Sequence, residues 1–323
     1  MRAIVQSAGT QIAGVRPGRV LRAAALDVSR GALLLVALLL LVVVRGGVPA
    51  PVYALTLAVS LGAVLLIPRE TRDVRLWGAY ILLFVLFAHL RTQADELGIA
   101  VRYGYVIDGE RAISLGAIPT VWLQDQLYQV GRLSALDSLL IVVYLSYFVV
   151  PHLMAIAVWR RHRERFPLYV AAALGTWYLG LAVSFLTPTA PPWMAGQSGE
   201  MPHVFRVLKD VSAGVSPDSY QRAYEIAGPN DVAAMPSLHM AVTAIVAFMA
   251  WRLNRRAGVV AWTYAAAMGF ALVYMGEHYV VDLLAGIAVA AVAWRAAAAS
   301  PLGREGAGQA TTPSAGEPLA ESG

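Results

Sequence analysis

The sequence contains no cysteine, which excludes disulfides, thiolate metal sites and cysteine nucleophiles together. Charge is scarce too: Asp, Glu, Lys and Arg supply only 14% of the residues, against about a quarter in an ordinary soluble domain. Lysine is nearly missing, with Lys209 standing alone. No internal repeat is visible, which argues against an inverted-repeat transporter. What fills the chain instead is apolar: 58% hydrophobic residues and a mean hydropathy of +0.61 define an integral membrane protein. The net charge of +5 and pI near 9.5 do not point to nucleic acid, because the arginines lie scattered between apolar segments without an aromatic or groove-binding pattern. Orientation in a membrane explains them better. Abundant Ala, Val, Leu and Arg give the composition of a GC-rich bacterial genome, so a bacterial cell membrane is the expected location.

The fold class expected from this pattern is an all-α polytopic bundle of about eight spans, near 31–44, 51–67, 76–90, 135–158, 167–187, 233–251, 258–275 and 279–296. The first span lies between Arg30 and Arg45 and is short for a full crossing. The basic segment before it is too long for a cleaved signal, so the first helix is expected to stay in place. With the N-terminus inside, Arg69, Arg72 and Arg75, then the cluster at 160–165, then Arg252, Arg255 and Arg256, and finally Arg295 all fall on the cytoplasmic side. Both termini are then cytoplasmic. The two long loops, 91–134 and 188–232, mix acids with bases and fall outside. Four regions follow: a basic cytoplasmic segment at 1–30, N-terminal spans with an extracytoplasmic loop at 31–133, a five-span core at 134–296 and a disordered cytoplasmic tail at 297–323, whose composition cannot bury a core.

Two short motifs stand out, MPSLHMA at 235–241 and GEHYVVD at 276–282. Each puts a histidine at the mouth of an apolar stretch, and the interval between them is about two spans of ~20 residues each. A chain that enters the bilayer after His239 and returns therefore delivers His278 to the surface it left. Asp282 follows His278 by one helical turn, which places carboxylate and imidazole on one face. Convergent ionisable groups at membrane depth are a functional-site hypothesis. On the topology above they face the extracytoplasmic side.

At these motifs the chain resembles the type 2 phosphatidic acid phosphatase superfamily, most closely its inositol phosphorylceramide synthase-like (inositolphosphotransferase) branch. PSLH at 236–239 is similar to that superfamily's second motif, usually P-S-G-H, and HYVVD at 278–282 to its third motif in the H-Y-x-x-D form of the lipid phosphotransferases. TPTAPPW at 187–193 resembles the P-x-x-P-P-W element that precedes the second motif in the synthase-like branch. The resemblance covers about 134–294. Two departures accompany it. Leu272, preceded by Ala271, occupies the place of the third-motif arginine, and the first motif of a lysine followed by Arg-Pro is missing. The synthase-like branch shares the first of these. The cations for a substrate phosphate must come from elsewhere, with Arg91, Arg132, Arg206, Lys209 and Arg222 as outer-side candidates. Arg91, which ends a span, is the choice among them.

What the resemblance implies is a membrane phosphotransferase that moves a phospho-head-group from a phospholipid donor to a lipid alcohol acceptor. His278 becomes the nucleophile. Neutral imidazole is competent for this near neutral pH and splits one hard displacement into two easier ones. Asp282 is expected to hold the Nδ1 proton and leave Nε2 free, and His239 to act as acid and then base. Ser237 and the backbone N–H groups at a helix start can hold phosphate oxygens. Pro191, Pro192, Trp193 and Tyr279 are expected to form the site wall. The scheme requires no metal and no other cofactor. Lipids are the implied partners; nucleic acid is not, and the sequence leaves the oligomeric state open.

Competing readings attach to the same residues. A lipid or polyprenyl phosphate phosphatase would use the same triad with water as acceptor. A proton-coupled transporter or a non-catalytic lipid-binding protein would use His239, His278 and Asp282 as a relay, but the spans carry almost no other charge. Two histidines and a carboxylate could form a metal-binding facial triad, although no fourth ligand is recognisable. His89, His152, His162 and His203 read as interfacial or hydrogen-bonded residues, the Pro-rich element could simply end a span, and Glu277 reads as a border residue. The segment IPTVWLQDQLY at 118–128 reads as an amphipathic helix lying on the membrane.

Overall fold

Apolar runs punctuated by proline, serine and asparagine dictate where helices begin. The computed structural model describes residues 71–91, 99–215 and 231–308; the spans expected near 31–44 and 51–67 lie outside them. In chain order the helices are α1 (Thr71–Arg91), α2 (Gly104–Ile113), α3 (Pro119–Leu127), α4 (Ala135–Ser146), α5 (Val150–Arg161), α6 (Phe166–Leu186), α7 (Pro192–Gln197), α8 (Val207–Val215), α9 (Leu238–Leu253), α10 (Arg255–Tyr274), α11 (Val280–Ala299) and α12 (Pro301–Gly308). Proline occupies the first turn of α3, α5, α6 and α7, where its missing N–H costs nothing and its fixed φ suits the helix. Ser134 and Asp137 close a reciprocal capping box on α4. Asn254 caps α10 by accepting from Arg256 and Ala257, so α9 and α10 are joined by a single residue.

Among the described residues there is no strand. Thr189 forms isolated bridges to Arg102 and Ala233, and these knit three loop segments together over the bundle end that carries the two motifs. Among the described residues three helical stretches are long and apolar enough to cross a membrane, Arg163–Leu186, Arg255–Tyr274 and Val280–Ala299. The single span expected near 135–158 is two helices, α4 and α5, meeting at a 51° bend. The break falls just before Pro151, whose ring cannot continue an i to i−4 ladder. The bent pair makes a fourth crossing if it acts as one span. The span expected near 233–251 is the shorter apolar helix α9.

Helix α9 is the hub, packed against α10, α11, α6 and α5. Its buried side chains include four alanines, Ala241, Ala244, Ala247 and Ala250, and small residues let helix backbones approach where lipid removes the hydrophobic drive for association. Gly286 carries this furthest. A Cβ there would collide with the Ser237 carbonyl oxygen and crowd Ala241 N, so only glycine lets α11 touch the start of α9. The same core continues through Trp77, Tyr80, Phe87, Phe166, Tyr169 and Trp177, which join α1 to α6.

The arginine-rich ends adjoin. Arg163 pairs with Asp73 at 2.6 Å, and Arg165 donates to the Arg252 carbonyl at 2.8 Å. Segments 71–75, 160–165 and 252–256 therefore share one end of the bundle, opposite the motif end. The stretch from 297, expected to be disordered, is helical as far as Gly308. The alanine run at 296–299 has the highest helix propensity available, and α12 folds back against α6 and residues 163–165. Residues 309–323 lie outside the described ones.

Candidate active site

Helix α9 starts at Leu238 and α11 at Val280, and the contact at Gly286 brings their N-terminal ends together. The His239 and His278 rings stand 5.6 Å apart, centroid to centroid, at 64°. His278 Nδ1 lies 3.0 Å from the Ala234 carbonyl oxygen and 3.4 Å from Asp282 Oδ2. Both neighbours can only accept, so the proton sits on Nδ1 and Nε2 keeps its lone pair. The carbonyl, which the sequence did not suggest, is the nearer of the two. Asp282 is fully buried; its Oδ2 also accepts from Tyr279 N at 2.9 Å, and its Oδ1 has no partner among the described residues.

His239 lies in an aromatic sleeve from the α4 end and the bend. Tyr144 stacks on it at 5.0 Å, Tyr147 lies at 4.3 Å and Phe148 at 6.3 Å. Its Nε2 is buried without a partner among the described residues. The positive charge of Arg91, at the end of α1, reaches this ring.

Other expected site residues are placed differently. Ser237 is fully buried and its hydroxyl caps α9 by accepting from Met240 N at 3.3 Å, which leaves its own proton to donate. Pro191 and Pro192 are buried at the start of α7, and Trp193 N donates to the Gly276 carbonyl at 3.1 Å. The Pro-rich element is thus tied directly to the strand of chain that carries His278. The Tyr279 ring turns into a cluster with Val106, Ile107 and Met201. Glu277 is no mere border residue: it receives Arg206 at 2.8 Å and 3.3 Å, while Arg206 lies 4.4 Å above the Trp193 ring. Arg206 is thereby engaged next to His278. Arg132 and Lys209 are exposed, and Arg222 lies outside the described residues.

His152 is buried and 2.9 Å from the Tyr80 hydroxyl, His203 packs on Phe205, and His162 ends α5. The His89 side chain lies outside the described ones. In α3 the buried residues are Thr120 and Gln124, Val121 and Leu123 pack on the neighbouring apolar clusters, and Trp122 is exposed. Among the described residues no group of three His, Asp or Glu is arranged to hold a metal ion, so the facial-triad alternative gains nothing from the geometry.

Two polar residues between α1 and α4 hold the site, and local sequence pattern does not mark them. Gln124 donates to the Phe205 and Tyr274 carbonyls at 2.9 Å and 2.8 Å and accepts from Phe205 N at 2.9 Å. Glu110 accepts from Val280 N at 3.1 Å and Val281 N at 3.0 Å. Burial pushes its carboxyl group up from its ordinary value, and the two N–H donors oppose that shift. Neither residue lies in a periodic pattern, and no local spacing announces a partner more than a hundred residues away.

No curated protein and no solved structure gave a significant match. The family description that does match is the PAP2 superfamily, over residues 114–296, the span that contains the bent pair, the Pro-rich element and both histidine motifs. With more than half of its length matched by that family, whose members are typically phosphatases or phosphotransferases, the chain belongs to the PAP2 superfamily.

Proposed function

We propose that the chain is a membrane phosphotransferase of the inositol phosphorylceramide synthase-like kind, with His278 as nucleophile, His239 as acid and base, and Asp282 as the orienting carboxylate. One observation carries the reading: His278 Nδ1 faces only acceptors, at 3.0 Å and 3.4 Å, so Nε2 is the basic nitrogen and its lone pair is available to phosphorus. In the first step that lone pair forms an N–P bond, the bond from phosphorus to the donor lipid's oxygen breaks, and His239 supplies the proton to the departing alcohol. In the second, His239 takes the proton of the acceptor hydroxyl, whose oxygen forms the new P–O bond as the N–P bond breaks. Asp282 stabilises the charge that develops on the His278 ring.

Leu272 in place of an arginine favours the synthase-like branch, in which phosphate cations come from other positions; with Arg206 held by Glu277, Arg91 and the Ser237 hydroxyl are the groups offered. Pro191, Pro192 and Trp193 wall the site from the side, and Tyr279, whose ring turns into the cluster with Val106, Ile107 and Met201, supports that wall from behind. The reading includes eight spans, both termini cytoplasmic, an extracytoplasmic site and chemistry independent of metal. Incubating the purified protein with head-group-labelled phosphatidylinositol and a lipid alcohol, and separately with labelled polyprenyl phosphate, tests it: a new labelled lipid is expected from the first mixture. Release of free phosphate alone would make the protein a phosphatase, and no turnover of either would leave the relay reading standing. Activity is expected to survive EDTA. For the topology, cysteines placed at Ser198 and Ser216 are expected to react with an impermeant maleimide on intact cells, and those at Ala257 and Ser300 only after lysis.

A further inference from the structure

Asp282 is not the only carboxylate at the start of α11. Glu110, on α2, is fully buried, and both of its oxygens are spent on successive backbone N–H groups of Val280 and Val281. These belong to the turn whose preceding N–H, that of Tyr279, is taken by Asp282. A helix N-terminus ordinarily caps itself with a neighbouring side chain; here the cap crosses from a segment outside the family-matched residues, which begin at 114. The supporting helix is itself fixed, because Val106 and Ile107 pack against Tyr279, Met201 and Val204. The dipole end of α11, otherwise a natural anion site, is thereby filled by the protein's own carboxylate. A substrate phosphate must then be met from the His239 and Arg91 side.

We infer that Glu110 is a positioning residue: by clamping Val280 N and Val281 N it fixes the turn that aims His278 and Asp282 at the reacting phosphorus. This rests on the reading of His278 as nucleophile. Attack along one line tolerates little misplacement, and an error of 1 Å is worth about 100-fold. Glu110→Gln keeps the shape but replaces one acceptor with a donor that opposes an N–H. Val280→Pro removes one clamp donor while keeping the helix, since Tyr279 is already extended at φ −82° and ψ 160° and proline is at home in the first helical position.

The test is calorimetric titration of the full-length protein in detergent with orthovanadate, which mimics the five-coordinate transition state, and separately with inorganic phosphate, which mimics the ground state. Glu110→Gln is expected to weaken vanadate about 10- to 100-fold, and Val280→Pro about tenfold, the worth of one hydrogen bond to a charged acceptor. Phosphate affinity is expected to stay within about threefold, because the cations that hold it are untouched. A parallel loss of both anions with a lowered melting temperature would mean a structural role and overturn the inference. So would wild-type vanadate affinity in both variants while His278→Ala loses it. If the wild-type protein binds no vanadate, or His278→Ala binds it normally, the nucleophile reading itself falls; Val280→Pro decides the matter if Glu110→Gln does not fold.

Discussion

Among the described residues histidine is buried in two places and surrounded in opposite ways. In the bundle interior, His152 sits among the rings of Tyr80, Phe84 and Trp177, with the Tyr80 hydroxyl on Nδ1. Its polar edge meets a neutral group and its faces meet aromatics, the arrangement of a satisfied core residue. At the motif end, His278 stands in a loop between helices with a carbonyl and a buried carboxylate on the same nitrogen. That arrangement fixes a tautomer and leaves the opposite nitrogen free. Burial alone therefore does not mark the chemistry; the direction of the partners does.

The sharpest way to break this contrast is to remove each imidazole. His278→Ala, His239→Ala and Asp282→Asn are each expected to lower turnover by about 10³-fold or more, with the double histidine variant scarcely worse than either single one, because members of one catalytic unit are strongly non-additive. His152→Phe is expected to leave turnover within about twofold and to lower stability by about 1–3 kcal/mol, the cost of stranding the Tyr80 hydroxyl. Steady-state kinetics and thermal unfolding of the same preparations check both halves. Full turnover in His278→Ala, or a catalytic collapse in His152→Phe, would dissolve the distinction.

The convergence itself can be attacked at Gly286. Valine there drives side-chain carbons into the Ser237 carbonyl, which must push α11 away from α9 and separate the two rings now 5.6 Å apart. Turnover is expected to fall by about 100-fold or more. Vanadate affinity should fall with it, whereas insertion into the membrane persists because α11 remains apolar.

A smaller effect is expected from the strap that presents His278. Residues 274–282 are held from many sides. Asp137 takes the Tyr274 hydroxyl, Gln124 the Tyr274 carbonyl, Val207 N the Met275 carbonyl and Trp193 N the Gly276 carbonyl. Gly276 itself needs φ +77° and has no room for a side chain. Gln124→Leu leaves three backbone groups without their partner, at about 1 kcal/mol each net. A loss of about 3 kcal/mol in thermal or denaturant unfolding is expected, with a lesser effect on turnover, since the remaining ties still hold the strap.

How much of this was legible follows from where each signal lives. The apolar runs of α6, α10 and α11 and the proline and serine punctuation are local, so the helices could be read directly, and so could the spacing that returns His278 to the level of His239. The bend at residues 147–149 lies inside one apolar run, because Tyr147, Phe148 and Val149, which form it, are themselves apolar and leave no polar break to mark it. The alanine run after Trp294 reads as tail in sequence because small residues bury little, although alanine is the best helix former. Gln124, Glu110 and the Ala234 carbonyl act through bonds between segments far apart in sequence. A single chain carries no mark for such pairs, and a carbonyl has no sequence identity at all.

The mildest test uses a second glycine as the control for Gly286. Gly175, in α6, faces α11 as well, but a Cβ there would lie 3.6 Å from the Ala293 Cβ, an ordinary contact that adds dispersion without displacement. Alanine in a helix interior is favoured over glycine by about 1 kcal/mol in water. In a membrane the unfolded reference keeps its helices and its partners, so a gain of about 0.5 kcal/mol is expected from Gly175→Ala, with turnover and vanadate affinity unchanged. A measurable loss of activity there would mean that α11 is positioned along its whole length and not mainly by the contact at Ser237. The unequal roles assigned to the two glycines would then have to be given up.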